Sequence, residues 1–238
     1  MAELKPCDLE GKIINADCMD ILKQVPDNSI DLLVTDPPYR TISGGRDENS
    51  NRWKGSVLEK NDGKIFKEND VNHREWIELC YQKMKDQSHA YIMTNLLNLF
   101  ELKRIADEVG FSLHNLLVWE KNNAVFNKWY MKNCEYTLFL RKGKAKFIND
   151  LGSKTVVRYD NPTNKLHPTE KPIKLMELYI RNSSNEGDLV VDPFSGSGTT
   201  AIACHRLKRR FICIEKDPNY WAKSCERLKA EQAQGQLF

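Results

Sequence analysis

The sequence predicts an α/β chain on a largely parallel sheet, and three observations carry that reading. Short apolar runs alternate with helical patterns from end to end. Most of these runs are continuously apolar, the pattern of strands covered on both faces. The connecting segments have helical length, as parallel crossovers require. The chain has 238 residues, 40% hydrophobic and 29% charged, which fits one globular domain and excludes wholesale disorder. Mean hydropathy is −0.59, and no apolar run approaches the roughly 20 residues that span a bilayer.

Strands are expected at KIINA (12–16), IDLLVT (30–35), HAYIMT (89–94), HNLLVW (114–119), EYTLFL (135–140), LVVD (189–192) and FICIE (211–215). Helical patterns fill most gaps, at Met19–Gln24, Arg74–Lys85, Leu97–Val109, Ile173–Arg181, Thr199–Leu207 and Pro218–Gln232. Seven strands with interleaved helices describe a mostly parallel sheet with helices on both faces. Two stretches break the rhythm. Residues 41–73, rich in Gly, Asn and charge, are long for a loop and read as a mobile insertion near the ligand end of a strand. Residues 143–168 are basic and irregular, with turn signals at Asn161-Pro162 and His167-Pro168. No linker divides the chain, so a single domain over 1–238 is expected.

Net charge is +3, unevenly spread. Between Lys121 and Lys174 twelve Lys/Arg meet four Asp/Glu, a local +8 that leaves −5 elsewhere. A basic middle suggests a polyanion-facing surface, here assigned to 121–168; a solvated lysine-rich face is the alternative. Lys142, Lys144 and Lys146 alternate at period two, and with Arg141 they are the candidate phosphate contacts. Seven scattered cysteines, none in C-x-x-C spacing, indicate small buried apolar residues in a reducing compartment rather than a disulfide or zinc framework. No metal is expected. With no signal-type apolar core at the N-terminus, the expected location is the cytoplasm.

Two motifs carry chemistry. Asp36-Pro37-Pro38-Tyr39 ends an apolar strand, where open α/β sheets bind ligands. The prolines restrict the backbone and hold the carboxylate, the carbonyls and the aromatic ring in one arrangement. Carboxylate and carbonyl oxygens can accept both N–H bonds of an exocyclic amine while tyrosine stacks on its ring; a proline-rich turn with a packing tyrosine is the plainer reading. The second motif, Asp192-Pro193-Phe194-Ser195-Gly196-Ser197-Gly198-Thr199-Thr200, runs from strand through a Gly-x-Gly turn into a helix. Such a turn allows close backbone approach, and the helix start offers N–H groups. It is not a Walker A loop, because no Gly-Lys-Ser/Thr follows. Glu215 ends a strand about twenty residues on, where a carboxylate accepts the hydroxyls of an adenosine ribose.

The two motifs together resemble the S-adenosylmethionine-dependent amino-methyltransferases of DNA. Because Asp-Pro-Pro-Tyr precedes the glycine loop, the order is similar to the circularly permuted beta class. Asn15-Ala16-Asp17-Cys18, Val118-Trp119-Glu120-Lys121 and His167-Pro168-Thr169-Glu170-Lys171-Pro172 resemble further elements of that family, so the likeness spans residues 12–225. The segment between the W-x-K strand and HPTEKP is shorter than the target-recognition region of many relatives. The resemblance implies a Rossmann-like methyltransferase fold and transfer of a methyl group from S-adenosylmethionine to the N6 amine of a flipped adenine in duplex DNA, within DNA methylation and restriction-modification.

It also implies roles. Asp36, Pro37, Pro38 and Tyr39 would be catalytic, with Asp36 and the Pro37 carbonyl holding the amine. The cofactor would lie among Asp17, Cys18, Asp36, Thr169, Lys171, Asp192, Phe194, Ser195, Gly196, Ser197, Gly198, Thr199, Glu215 and Lys216. Asp17 and Thr169 are also candidate helix N-caps, Phe194 plain core, and Lys171 a solvated lysine. Cytosine N4, with a similar amine, is the first alternative target, although Asp at position 36 resembles the adenine type. RNA or a protein amide is a second alternative, a nicotinamide oxidoreductase a third, and a catalytically silent nucleic-acid binder a fourth. The beta-class likeness implies a homodimer. Finally, Gln234-Gly235-Gln236-Leu237-Phe238 resembles the Gln-x-x-Leu-Phe peptide that docks bacterial replication proteins on the sliding clamp; Leu237 and Phe238 packed back on the domain is the alternative.

Overall fold

A computed structural model of the chain describes residues 9–38, 71–125, 130–163 and 170–235. By internal contacts the chain divides into Met1–Pro37 with His73–Phe238, and Pro38–Asn72. The second unit contains only Pro38, Val71 and Asn72 among the described residues, so the expected insertion over 41–73 lies almost wholly outside them.

The described elements are β1 (Lys12–Asn15), α1 (Cys18–Leu22), β2 (Ile30–Thr35), α2 (His73–Lys83), β3 (Met84–Thr94), α3 (Leu96–Val109), β4 (Ser112–Val125), β5 (Lys132–Arg141), β6 (Val156–Arg158), α4 (Ile173–Ser183), β7 (Leu189–Asp192), α5 (Thr199–Arg206), β8 (Arg210–Glu215) and α6 (Pro218–Gly235). They form one sheet in the order β1-β8-β7-β2-β3-β5-β4-β6. Among the described strands β5 alone runs against its neighbours, so the mostly parallel expectation holds.

Three departures have local causes. The sheet has eight described strands rather than seven, because Val156–Arg158 pairs in parallel with β4 inside the stretch read as irregular. Three residues are too few to show a period, and only pairing reveals them. Strand β3 begins at Met84 rather than His89; after the buried Met84 comes the polar run Lys85–Ser88, Gln87 sits at φ 59°, and the register shifts between Ile30 and Leu32. Strand β4 runs on past Trp119 through the polar Lys121-Asn122-Asn123, which no apolar pattern marks.

The burial follows the patterns. Strand β2 is buried at Leu32, Leu33, Val34 and Thr35, and β7 throughout. Helix α4 turns Leu175, Met176, Tyr179 and Ile180 inward, a 3–4 spacing that makes one apolar stripe. Tyr179 stacks on Tyr91 of β3 with ring centroids 4.5 Å apart and planes 8° from parallel. Helix α2 buries Trp76, Ile77 and Cys80. Helix α3 begins at Asn95, whose side chain accepts from Leu97 and Asn98, and ends at Gly110 with φ 116°, the left-handed stop that glycine permits.

The consequence for function is the pairing of β2 with β7, Leu32 opposite Val190 and Leu33 opposite Val191. From there the chain winds outward in opposite directions, β2 to β3 on one side and β7 to β8 on the other. A crevice at the carboxyl ends of such neighbours is where doubly wound sheets bind ligands.

Candidate active site

Asp36 and Asp192 leave the sheet side by side. Thr35 Oγ1 donates to Asp192 Oδ1 at 2.8 Å, tying the two strand ends together. The same Oδ1 accepts from the Phe194 amide at 3.1 Å, and Oδ2 accepts from Thr200 Oγ1 at 2.5 Å. Asp192 is therefore the internal strut of the glycine loop. Burial pushes its carboxyl up to about 6 despite those three donors.

The loop is held at four further points. Ser195 N–H donates to the Ile214 carbonyl at 2.8 Å. Gly196 N–H donates to Glu215 Oε2 at 2.8 Å, while Asp217 N–H donates to Glu215 Oε1 at 2.9 Å. Gly198 sits at φ 76°, and a Cβ there would lie 3.0 Å from both Ile13 Cδ1 and Ser224 Cβ. Arg227 of α6 donates to the Ser197 carbonyl at 3.1 Å and to Thr199 Oγ1 at 3.3 Å, and pairs with the buried Glu170 carboxylate at 3.0 Å. Half-buried Phe194 meets the buried Trp76 ring edge-on at 5.2 Å.

Glu215 lies at the end of β8, beside Asn15 of β1, whose side chain donates to the Glu215 and Lys216 carbonyls at 2.9 and 3.0 Å. Burial raises the Glu215 carboxyl above its usual range. Each of its oxygens spends one lone pair on a backbone amide, leaving acceptor capacity. Asp17 caps α1, accepting from Met19 N–H at 2.9 Å, and its other oxygen lies 3.5 Å from Lys216 Nζ. Cys18 is buried, and that burial pushes its thiol up to about 12.

The other half of the site is a line of four charges. Asp36 Oδ2 lies 2.5 Å from Lys171 Nζ. Lys171 Nζ also lies 3.2 Å from Glu135 Oε2, and Glu135 Oε1 accepts from Lys121 Nζ. Asp36 Oδ1 is buried with no hydrogen-bond partner among the described residues. Burial raises the Asp36 carboxyl, Lys171 opposes that, and Glu135 adds to it. Glu135, also penalised by burial, is nonetheless pulled down to about 2 by Lys171 and Lys121. Pro37 is buried and Pro38 half-buried; Tyr39 and Thr169 lie outside the described residues.

The structure thus gathers Asp36, Asp192, Phe194, Gly196, Gly198, Thr199 and Glu215 at one end of the sheet, with Asp17, Cys18 and Lys216 at its β1–β8 side. It places Lys171 against Asp36. The four candidate phosphate contacts are elsewhere. Arg141 pairs with His89, whereas Thr94 at the Asp36 end pairs with Tyr136; five residues of strand separate the two levels, roughly 17 Å. Nor do the lysines share an extended face. The chain bends after Arg141, with Gly143 at φ 67°. Lys142 Nζ donates to the Tyr81 and Met84 carbonyls at 2.7 Å each and lies 4.7 Å from the Tyr81 ring centroid. Arg141 donates to the Gly143 carbonyl, and Lys144 and Lys146 are exposed at that far end.

Sequence reasoning missed Thr35, Thr200, Trp76, Glu135, Glu170 and Arg227. Glu135 had a signal, an acid heading an apolar strand; Arg227, on the last helix, had none.

A buried carboxylate with one unpartnered oxygen, beside a glycine turn tied to a second strand-end carboxylate, marks the crevice of a ligand-binding α/β protein. The comparisons make the class specific. Residues 30–226 match the family N6_N4_Mtase, described as DNA methylase. The chain is 31% identical over 241 residues to the type II methyltransferase M2.DpnII of Streptococcus pneumoniae, covering 92% of this chain and 90% of that protein. It is 30% identical to the type II methyltransferase M2.MboI of Moraxella bovis, covering 92% and 88%. Its structure resembles the crystal structure of an M1.HpyAVI–SAM complex, with a TM-score of 0.70, 27% identity and coverage of 91% and 99%. The chain belongs to the DNA methylase family, as its motifs led one to expect.

Proposed function

We propose that this DNA methylase transfers the methyl group of S-adenosylmethionine to the N6 amine of an adenine flipped out of duplex DNA. The observation that carries the reading is the buried, open Oδ1 of Asp36 beside the Glu215-held glycine turn. The donor set fits that cofactor: Glu215 for the ribose hydroxyls, Phe194 and the Gly196–Thr199 turn for the methionine part, and the Asp17–Cys18 and Lys216 side for adenine. When bound, the cofactor supplies a sulfonium methyl as the electrophile. The chain's own work is on the amine. An aromatic amine is a poor nucleophile because its lone pair is delocalised; Asp36 Oδ1 and the Pro37 carbonyl, accepting its two N–H bonds, favour the pyramidal nitrogen. The target base must leave the stack to reach them, and Tyr39 would stack on it. Loading wild-type protein with labelled S-adenosylmethionine and duplex DNA, then analysing nucleosides, tests this. N6-methyladenine is expected; N4-methylcytosine alone, or no modified base, would overturn it.

DNA would approach the edge where β4 and β5 reach beyond Glu120 and Cys134, bearing the exposed Tyr130, Met131 and Lys132. Among the described residues no helix is long and apolar enough to cross a membrane, and a cytoplasmic location suits a DNA substrate. A homodimer is proposed from the motif order, and sedimentation of a 27.6 kDa monomer at working concentration would overturn it. Clamp docking through Gln234–Phe238 is proposed on the peptide pattern. Helix α6 reaches Gly235, and Gln236–Phe238 lie outside the described residues. Binding of the C-terminal peptide to a purified clamp, lost on Leu237→Ala or Phe238→Ala, is the expected result.

A further inference from the structure

We propose that Glu135 is a positioning residue for methyl transfer: by sharing Lys171 with Asp36 and anchoring on Lys121, it keeps the ammonium on Asp36 Oδ2 and leaves Oδ1 to the target amine. This rests on the function proposed above and deepens it. The four groups come from separate places, Lys121 from β4, Glu135 from β5, Asp36 from the end of β2 and Lys171 from just before α4. They alternate in sign and sum to zero when all are ionised. Lys171 has a side chain only 4% exposed, and Asp36, Lys121 and Glu135 are 17%, 20% and 21% exposed. Charges this buried persist when paired, and removing one partner leaves another uncompensated.

The geometry gives the line a direction. Lys171 Nζ makes a hydrogen bond to Asp36 Oδ2 at 2.5 Å. Its approach to Glu135 Oε2 is longer, 3.2 Å, so the ammonium sits closer to Asp36 than to Glu135. Glu135 therefore draws the ammonium from one side while Asp36 takes its shorter bond. The two Asp36 oxygens become unlike, one neutralised and one open. A carboxylate free to rotate, or with a lysine bridging both oxygens, would offer the amine a weaker and less directed acceptor.

The charged groups facing Asp36 are Lys171, Glu135, Lys121 and, across the β2–β7 junction, Asp192. Glu135 raises the Asp36 carboxyl, whereas both lysines lower it. The variants therefore separate by sign. Glu135→Gln should move the acid limb of the methylation rate to lower pH, by roughly half a unit to one unit. Lys171→Met and Lys121→Met should move it to higher pH. Glu135→Gln should also lower the single-turnover rate roughly 10- to 100-fold, because Lys171, no longer shared, moves to bridge both Asp36 oxygens and occupies Oδ1, with cofactor and DNA affinity changed less than about twofold. Glu135→Asp should restore part of the rate.

The experiment has two readouts on folded protein, checked by thermal unfolding. One is single-turnover methylation against pH; the other is ¹³C titration of the Asp36 carboxyl in protein without cofactor, which needs no activity. Opposite displacement of the Asp36 midpoint in Glu135→Gln and Lys171→Met supports the proposal. An unmoved midpoint, displacement of the same sign in both, or a rate loss uniform across pH overturns it and leaves Glu135 a structural ion. Should Glu135→Gln fail to fold, Lys121→Met decides by the same titration. The wild-type arm keeps the two claims apart: active wild type with an unresponsive midpoint defeats this inference alone, whereas wild type that leaves DNA unmodified defeats the function from which it was drawn.

Discussion

Asp192 makes a sharp test of how the two half-sites are joined. Its carboxyl is 2% exposed and accepts from Thr35, Phe194 and Thr200. Burial lifts it from 3.8 to about 6. A folded-state value raised above the unfolded one means the fold favours the protonated form. The associated stability is fully present below about pH 4 and is lost as pH rises through about 6. Two units at about 1.4 kcal/mol each give about 3 kcal/mol. Asp192→Asn keeps the shape: its carbonyl can accept from Phe194 and Thr35, and its amide can donate to Thr200 Oγ1. It cannot ionise, so the variant should gain about 3 kcal/mol relative to wild type between pH 4 and pH 7. Urea unfolding of both proteins across that range measures the difference and cancels the other carboxylates. A difference that stays flat within about 1 kcal/mol, or falls with pH, would refute the reasoning. Cofactor affinity in the same variant tests whether Asp192 touches the ligand: a strut leaves it nearly unchanged.

Gly198→Ala should cost about 1–3 kcal/mol of stability, because φ 76° strains alanine and its Cβ would meet Ile13 and Ser224 at 3.0 Å; thermal unfolding reads this, and an unchanged midpoint counts against the turn geometry. Arg227→Met removes the buried pair with Glu170 and the bonds to Ser197 and Thr199, so about 3 kcal/mol of destabilisation and weaker cofactor binding are expected; a loss under 0.5 kcal/mol would show that the loop stands without it. Neutralising Lys132 and Arg158, at the Asp36 edge, should reduce the salt slope of DNA binding by about one per contact, while neutralising Lys144 and Lys146 should leave it unchanged; the reverse result would move the DNA to the other edge.

What the sequence made legible follows from what leaves a periodic or chemical trace. The buried runs at 30–35, 189–192 and 211–215 announced their strands because parallel strands are apolar on both faces. Asp36, Asp192 and Glu215 were readable because each carboxylate ends such a run. Less readable was what each carboxylate does. Asp17 serves α1 as an N-cap, one of the two roles its sequence context offered, whereas Asp192 faces inward on two threonines and an amide, which no motif announced. The donor from Thr35 could not be assigned before β2 and β7 were known to be neighbours.

The basic face shows the same limit in its hardest form. Lys142, Lys144 and Lys146 alternate in sequence, and the sequence places them just after a strand. A strand has two ends, and only its partners tell which end is which. Because β5 opposes β3, its start lies at the Asp36 edge and its finish at the other. The same antiparallel turn that sends Arg141 away brings Glu135 in, beside Lys171 and Lys121. One reversal of strand direction thus sets those four candidates at the far end of the sheet from Asp36 and supplies the acid that no motif had singled out. A local charge count averages over both ends of β5 and could not have separated them.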